Sequence, residues 1–298
     1  MAVSNIGDLL RHRTRLSPNL EAVVSPSKRL TYREFNETVN QLAHFFLQNN
    51  VQKGDRIALL NKNLYTFPVI YFAAAKIGAV TVPINWLQKT DEIRYILENC
   101  KPKMLFYDGD FKQITPLLGK LPFIQQEIRI ANGEDTTSFE HLIKGYPADE
   151  PEINVDENDP ALVIYTSGTT GRPKGVVCTH SNVYNAVLSN LTTLDLRYQD
   201  RFLFVTPLCH ISGMSFMTGL PVRGITLVLN TQFNPLEIWK FLESEKITGM
   251  FTVPSMLSYM YEMAKTQDII APALRMIICG GSLVPKKLIT GMYEWGYH

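Results

Sequence analysis

Tyr165-Thr166-Ser167-Gly168-Thr169-Thr170-Gly171-Arg172-Pro173-Lys174-Gly175 is the stretch on which the reading of this chain turns. Three glycines, the hydroxyls of Thr166, Ser167, Thr169 and Thr170, a proline and Lys174 stand within eleven residues. Glycine tolerates positive φ and admits close approach to the backbone, so Gly168 and Gly171 can turn several N–H groups toward one point. The hydroxyls add donors and Lys174 adds charge, a combination that suits a polyphosphate.

The flanks say which kind of loop this is. Ala161–Tyr165 and Val176–Thr179 are short apolar, β-branched runs, so a strand is expected on either side. A Walker loop needs its lysine directly after the second glycine and runs straight into a helix. Here Lys174 precedes Gly175, and Pro173 stands where such a helix would begin, so the nucleotide-kinase reading fails. On composition alone a solvated hairpin turn remains the plain alternative.

The string TSGTTGRPKG resembles the signature loop of the AMP-forming adenylating superfamily, which includes acyl- and aryl-CoA ligases. The wording of LTYREFNETVNQLAHFFLQNNVQKGDRIALL, residues 30–60, and of AAAKIGAVTVPIN, residues 73–85, is also similar to that family. These two passages are scaffold in either reading.

With 298 residues, 45% hydrophobic and 19% charged, the chain is of ordinary globular composition and long enough for a large core. A formal charge of +1 gives no reason to expect a nucleic-acid or membrane-surface partner. Cys100, Cys178, Cys209 and Cys279 are widely spaced, which argues against a disulfide framework and fits a reducing cytoplasm, the compartment taken as default. The most apolar stretch, Phe67–Ile84, carries Pro68, Lys76, Gly78 and Pro83 and reads as a helix and a strand, so no transmembrane segment is expected. The start is amphipathic through Ile6, Leu9, Leu10 and Leu16 and bears several arginines, which also admits a transit-peptide reading.

Taken in order, Thr31 and Glu34 form a capping box ahead of a helix with Phe35, Val39, Leu42, Phe45 and Phe46 on one face. Helix, turn and strand then recur: Arg56–Leu60, Val69–Ile77 into Ala79–Pro83, and Asp91–Asn99 into Met104–Tyr107. Such alternation predicts an α/β fold, helices layered on largely parallel sheets. The polar stretch Gly109–Pro160 reads as a surface excursion returning to the sheet. Further strands are expected at Phe202–Pro207, Ile225–Leu229, Gly249–Val253 and Leu274–Cys279.

Beyond the loop, His180 precedes a helix that Ser181 or Asn182 would cap, and its ring reads as structural before functional. Pro254-Ser255 opens a helix bearing Met256, Met260 and Met263, normally core packing. The pattern P-L-x-H-x-x-G at Pro207–Gly213 places His210 at a strand end, where α/β sheets put ligand sites; by residue type alone a satisfied buried histidine is the favoured reading. Gly280-Gly281-Ser282 closes another strand and could be no more than a tight turn.

The resemblance implies roles for these groups. Thr166, Ser167, Gly168, Thr169, Thr170, Gly171 and Lys174 would hold the phosphates of ATP, with Lys174 offsetting charge on the leaving group and Thr166 touching Mg²⁺. His210, Ser212 and Gly213 would line the acid site, His210 orienting the carboxylate rather than moving a proton, and Gly280, Gly281 and Ser282 would face adenine. The implied reaction joins a small-molecule carboxylic acid, fatty or aryl, to AMP and then to coenzyme A. Residues 1–298, with the loop at 165–175, are expected to be a truncated N-terminal adenylation domain without the small C-terminal domain, since the family's later motifs do not occur. The expectation is weak nucleotide binding, little turnover, and an unfinished sheet open to self-association. The alternative from another class is a non-catalytic nucleotide-binding or protein-interaction module.

Overall fold

The computed structural model describes residues 5–131, 135–166, 172–267 and 270–297. In chain order the elements are α1 Ile6–Leu16, β1 Glu21–Ser25, β2 Lys28–Thr31, α2 Tyr32–Gln48, β3 Arg56–Leu60, α3 Thr66–Lys76, β4 Val80–Pro83, α4 Thr90–Cys100 and β5 Met104–Asp108. There follow β6 Gln126–Ala131, α5 Thr137–Ile143, β7 Pro160–Thr166, β8 Lys174–Thr179, α6 His180–Thr193, β9 Arg201–Phe204, α7 Ile211–Arg223 and β10 Thr226–Leu229. The chain continues through α8 Pro235–Ser244, β11 Gly249–Thr252, α9 Pro254–Gln267, β12 Met276–Cys279 and α10 Lys286–Glu294.

Two six-stranded sheets result, ordered β12-β11-β9-β10-β1-β2 and β6-β5-β3-β4-β7-β8. Every pairing is parallel except the hairpins β1–β2 and β7–β8. The α/β expectation of layered helices on largely parallel sheets holds. Side-chain alternation explains the layers. Ile57 and Leu59 of β3 enter the central core, while Ala58 and Leu60 enter the core beneath α4. In the other sheet Phe202 and Phe204 of β9 face the central core, and Leu203 and Val205 face the one packed by α8 and α9. Strand positions covered on both faces must be apolar, as Ile57–Leu60 and Phe202–Phe204 are, the arginines that begin β3 and β9 being only half-buried. Helix α3 lies between the sheets, and each residue from Thr66 to Lys76 is buried.

Burial of Lys76 in that layer demands partners. Its ammonium donates to Asn36 Oδ1 (2.8 Å) and Asn40 Oδ1 (2.7 Å) of α2 and pairs with Glu150 Oε2 at 2.5 Å. Asn36 also donates to Glu150 Oε1, and Asn40 to the Ala148 carbonyl, both at 2.8 Å. The segment 146–150 is thereby strapped across α2.

Two sequence expectations need correction, and the start of the chain adds a packing detail. Gly109–Pro160 is no mere excursion: β6 extends the sheet beside β5, and Phe111, Ile114, Leu117, Ile130, Phe139 and Ile143 are buried. Its apolar residues are spaced by turns, which erases periodicity. The cap of α6 is Thr179, which accepts from the Asn182 N–H at 3.1 Å while Asn182 Oδ1 accepts from the Thr179 N–H at 3.1 Å; neither Ser181 nor Asn182 is the cap residue, because β8 runs directly into the helix. The amphipathic start is spent on packing, Ile6, Leu9 and Leu10 being buried against the body of the fold.

Candidate active site

Ligand sites of parallel α/β sheets gather at the carboxyl ends of the strands, and the residues singled out above lie there. At the end of β7, Thr166 stands directly opposite Lys174, and Tyr165 opposite Gly175. Thr166 and Lys174 are both exposed. Tyr165 explains Gly175: a Cβ there would come within 3.0 Å of Val163 Cγ1 and 3.1 Å of Tyr165 Cζ, so the aromatic ring lies where a side chain would. The Tyr165 hydroxyl donates to Asn99 Oδ1 at 2.5 Å, and the Arg172 guanidinium sits 5.5 Å from the centroid of Tyr95. Both stems of the hairpin thus lean on α4. Ser167, Gly168, Thr169, Thr170 and Gly171 lie outside the described residues.

At the base of the same hairpin, Pro160 pairs with Thr179, and His180 is next in the chain. His180 is 1% exposed, and its Nδ1 accepts from the Ile6 N–H at 3.2 Å. Burial lowers its pKa to about 4, so the ring is neutral at pH 7 and ties the hairpin to the start of α1. The structural reading of His180 is the one that applies.

His210 occupies the N-cap position of α7 with extended backbone, its ring exposed and making no capping hydrogen bond. Enough protein surrounds the ring to lower its pKa through loss of hydration, so it too is uncharged near neutrality. Ser212 is half-buried and Gly213 buried. Gly213 has a steric reason: a Cβ would lie 2.6 Å from Leu208 Cα, because the first turn of α7 presses on the backbone ahead of His210. Beside it, burial pushes the Cys209 thiol up to about 12, which leaves it inert.

The third group follows β12. Gly281 has φ +89°, the conformation that favours glycine, and a Cβ on Gly280 would meet only Phe251 Cζ, at 4.0 Å. Bare backbone is therefore presented at Gly280 and Gly281, with Gly281 and Ser282 exposed. Since β9, β11 and β12 are parallel neighbours, the His210 turn and the Gly280–Ser282 turn emerge on one edge.

Sequence reasoning passed over two features. Asn63, between β3 and α3, bonds to the chain that follows β9 in the other sheet. An open groove of about 660 Å³ also lies at the carboxyl ends of β3, β4 and β5, lined by Lys62, Trp86, Lys89, Asp110 and Phe111 among others. There Trp86 stacks on Phe111 (centroids 5.8 Å apart, planes 1° apart), and Lys62 sits 5.7 Å from the Phe111 centroid and 3.0 Å from Asp110 Oδ2. The available signal was the string WLQK directly after an apolar strand. Among the described residues no group of three or more His, Cys, Asp or Glu side chains could hold a metal, and no helix is long and apolar enough to cross a membrane.

Comparison with known proteins adds to this geometry. The family model described as AMP-binding enzyme matches residues 10–298. The long-chain-fatty-acid–CoA ligase FadD13 of Mycobacterium tuberculosis is 34% identical over 289 residues, covering 96% of this chain and 57% of that protein. The medium-chain fatty-acid–CoA ligase of Escherichia coli is 31% identical over 304 residues, covering 98% of this chain and 54% of that protein. Among solved structures, the inhibitor-bound N-terminal domain of FACL13 from Mycobacterium tuberculosis superposes with a TM-score of 0.92 at 32% identity, covering 99% of this chain and 74% of that one. The chain therefore spans little more than half the length of the curated relatives it matches.

Proposed function

From the premise that this chain belongs to the AMP-binding enzyme family, we propose that it takes part in the ATP-dependent activation of a carboxylic acid and its transfer to coenzyme A. Relatives named as CoA ligases support the reaction class. The observation that carries the reading is the placement of Thr166 opposite Lys174 at the mouth of a hairpin on the carboxyl edge of a parallel sheet. A hydroxyl donor and a cation so placed suit the β- and γ-phosphates of ATP, with Ser167, Gly168, Thr169, Thr170 and Gly171 supplying further donors.

In the first step a carboxylate oxygen attacks the α-phosphorus, an acyl–adenylate bond forms, and the bond to pyrophosphate breaks. Lys174 offsets the charge that accumulates on the leaving pyrophosphate. Thr166 offers a single neutral hydroxyl, which fits Mg²⁺ carried in by the triphosphate and not a resident ion; the metal would supply charge neutralisation between phosphate oxygens. Gly280, Gly281 and Ser282 let adenine lie on bare backbone. His210 orients the carboxylate as a neutral donor or acceptor, and Ser212 and Gly213 complete the wall. In the second step the coenzyme A thiolate attacks the acyl carbon and AMP leaves with its electron pair. The groove of Lys62, Trp86, Lys89 and Phe111, with its cations and flat aromatic stack, suits the nucleotide end of coenzyme A.

Residues 1–298 form a single adenylation domain in this reading, and by themselves they bind nucleotide weakly and turn over slowly. Thr166, Lys174, His210, Gly281 and Ser282 all face solvent, and an open site forgoes the water exclusion that strengthens charge stabilisation. The four free thiols agree with a cytoplasmic setting. Self-association is proposed through β8, an edge strand on which Val176 and Val177 are 48% and 58% exposed. That edge also favours the second reading, a non-catalytic module covered by a protein partner.

Titration of the chain with ATP, beside Lys174→Ala, tests the nucleotide site: the variant should bind about tenfold more weakly or worse. Equal affinity removes the phosphate role of Lys174. Robust carboxylate-dependent pyrophosphate exchange by the chain alone would overturn the slow-turnover claim.

A further inference from the structure

The two sheets each bring part of the proposed site, and their relative placement must be held to fractions of an ångström for an acid to meet a phosphate in line. The hairpin of Thr166 and Lys174 belongs to the sheet of β3 and β7; the His210 turn belongs to the sheet of β9. Asn63 follows β3 and is 4% exposed. Its Nδ2 donates to the carbonyl of Thr206 at 2.9 Å and to that of Phe204 at 3.4 Å, and its Oδ1 accepts from the Leu208 N–H at 3.0 Å. All three bonds reach backbone, so they register the path of residues 204–208 whatever side chains those residues carry. Gly213 also presses on Leu208, and the His210 N–H donates to the Pro207 carbonyl at 3.4 Å. The turn that presents His210 is therefore gripped between a residue of one sheet and a helix of the other. Packing alone explains a buried asparagine poorly, because both of its polar ends must be satisfied at a cost that an apolar residue would avoid.

We propose that Asn63 is a positioning residue, which sets the His210 turn in register with the Thr166–Lys174 hairpin so that the acid and the triphosphate are held in one geometry. This rests on the acid-activation reading above. Thr206 supplies a control: the residue is 4% exposed and its hydroxyl has no hydrogen-bond partner among the described residues, so replacing it by valine leaves the grip intact.

The test uses the whole chain with Asn63→Ala, Asn63→Asp and Thr206→Val, each first followed through a thermal melt. Two affinities are measured by calorimetry: for ATP, and for a non-hydrolysable acyl sulfamoyl adenosine, whose acyl end reaches the His210 turn that ATP does not touch. In each Asn63 variant the acyl analogue should bind about tenfold to a hundredfold more weakly while ATP changes less than about threefold. Thr206→Val should leave both within about threefold. Equal losses for the two ligands, or none, would overturn the proposal, since a merely structural role moves both together. Asn63→Asp keeps the acceptor for Leu208 and the shape of the side chain, so it decides the matter if Asn63→Ala does not fold. Amide exchange is the readout independent of any ligand: the Leu208 N–H should exchange at least about tenfold faster in Asn63→Ala while the β7–β8 amides keep their protection. If the parent binds neither ligand, the acid-activation reading fails, and unchanged exchange at Leu208 then also refutes the role given to Asn63.

Discussion

Lys76 and Glu150 form an ion pair at 2.5 Å in which the lysine side chain is 3% exposed and the carboxylate side chain 31%. The asymmetry decides the energetics. Burial, the largest cause, lowers the Lys76 pKa from 10.5 to about 8, and Glu150 offsets only part of that. The folded state thus holds this proton less tightly than the unfolded chain does. The contribution of Lys76 to stability should be lowest below about pH 8, where both states carry the proton, and should rise as pH climbs toward 10.5. The full gain is roughly 3 kcal/mol, from the size of the shift. Burial pushes the Cys100 and Cys209 thiols up to about 12, which works in the opposite sense over this range; the denaturant midpoint of the parent relative to that of Lys76→Met should therefore increase between pH 7 and pH 10.5.

His180 provides the acid counterpart. Its pKa falls from 6.5 to about 4 chiefly through burial, with Asp159 opposing the shift. A neutral ring is therefore favoured in the fold, and stability present above pH 6.5 should be lost as pH falls toward 4. The loss again amounts to roughly 3 kcal/mol. Urea midpoints between pH 4 and pH 7 should flatten in His180→Gln, and a parent curve without slope over that range contradicts the assignment.

Gly213→Ala should lower the melting temperature and disturb the His210 turn. The added methyl meets the Leu208 backbone, which cannot rotate away as a side-chain tip would. A cost of about 1–3 kcal/mol follows for forcing atoms into a packed site. Thermal denaturation checks it; a melting temperature unchanged from the parent would show that α7 shifts freely.

Val177→Lys should abolish association through β8. The residue is 58% exposed on an edge strand, and charge on an edge discourages strand pairing. Light scattering across a concentration series should show the parent growing in mass and the variant remaining a monomer. Equal masses at every concentration would remove β8 as an interface.

How much could be read from residue order depends on the range of the interaction. Thr31 and Glu34 announce the cap of α2 because both partners sit within one turn, and the cap forms as expected. The apolar runs at 57–60 and 202–204 announce strands, because burial on two faces leaves no polar position. In Gly109–Pro160 the buried side chains are separated by turns and satisfy no single period, so β6 and α5 go unseen. Asn63 goes unseen for another reason: its partners lie 141 to 145 residues away, and nothing beside it in the chain marks it.

By itself the sequence determined the class of fold, the hairpin that carries Thr166 and Lys174, and the family, because these are written in local patterns of glycine, charge and alternating apolar residues. Only the tertiary structure decided that β9 lies between β10 and β11, that His180 anchors the start of α1, and that Asn63 joins the two sheets at the His210 turn. Parallel strands pair through long crossovers, so which backbone groups meet is settled by the packing of whole layers and not by neighbours in the chain.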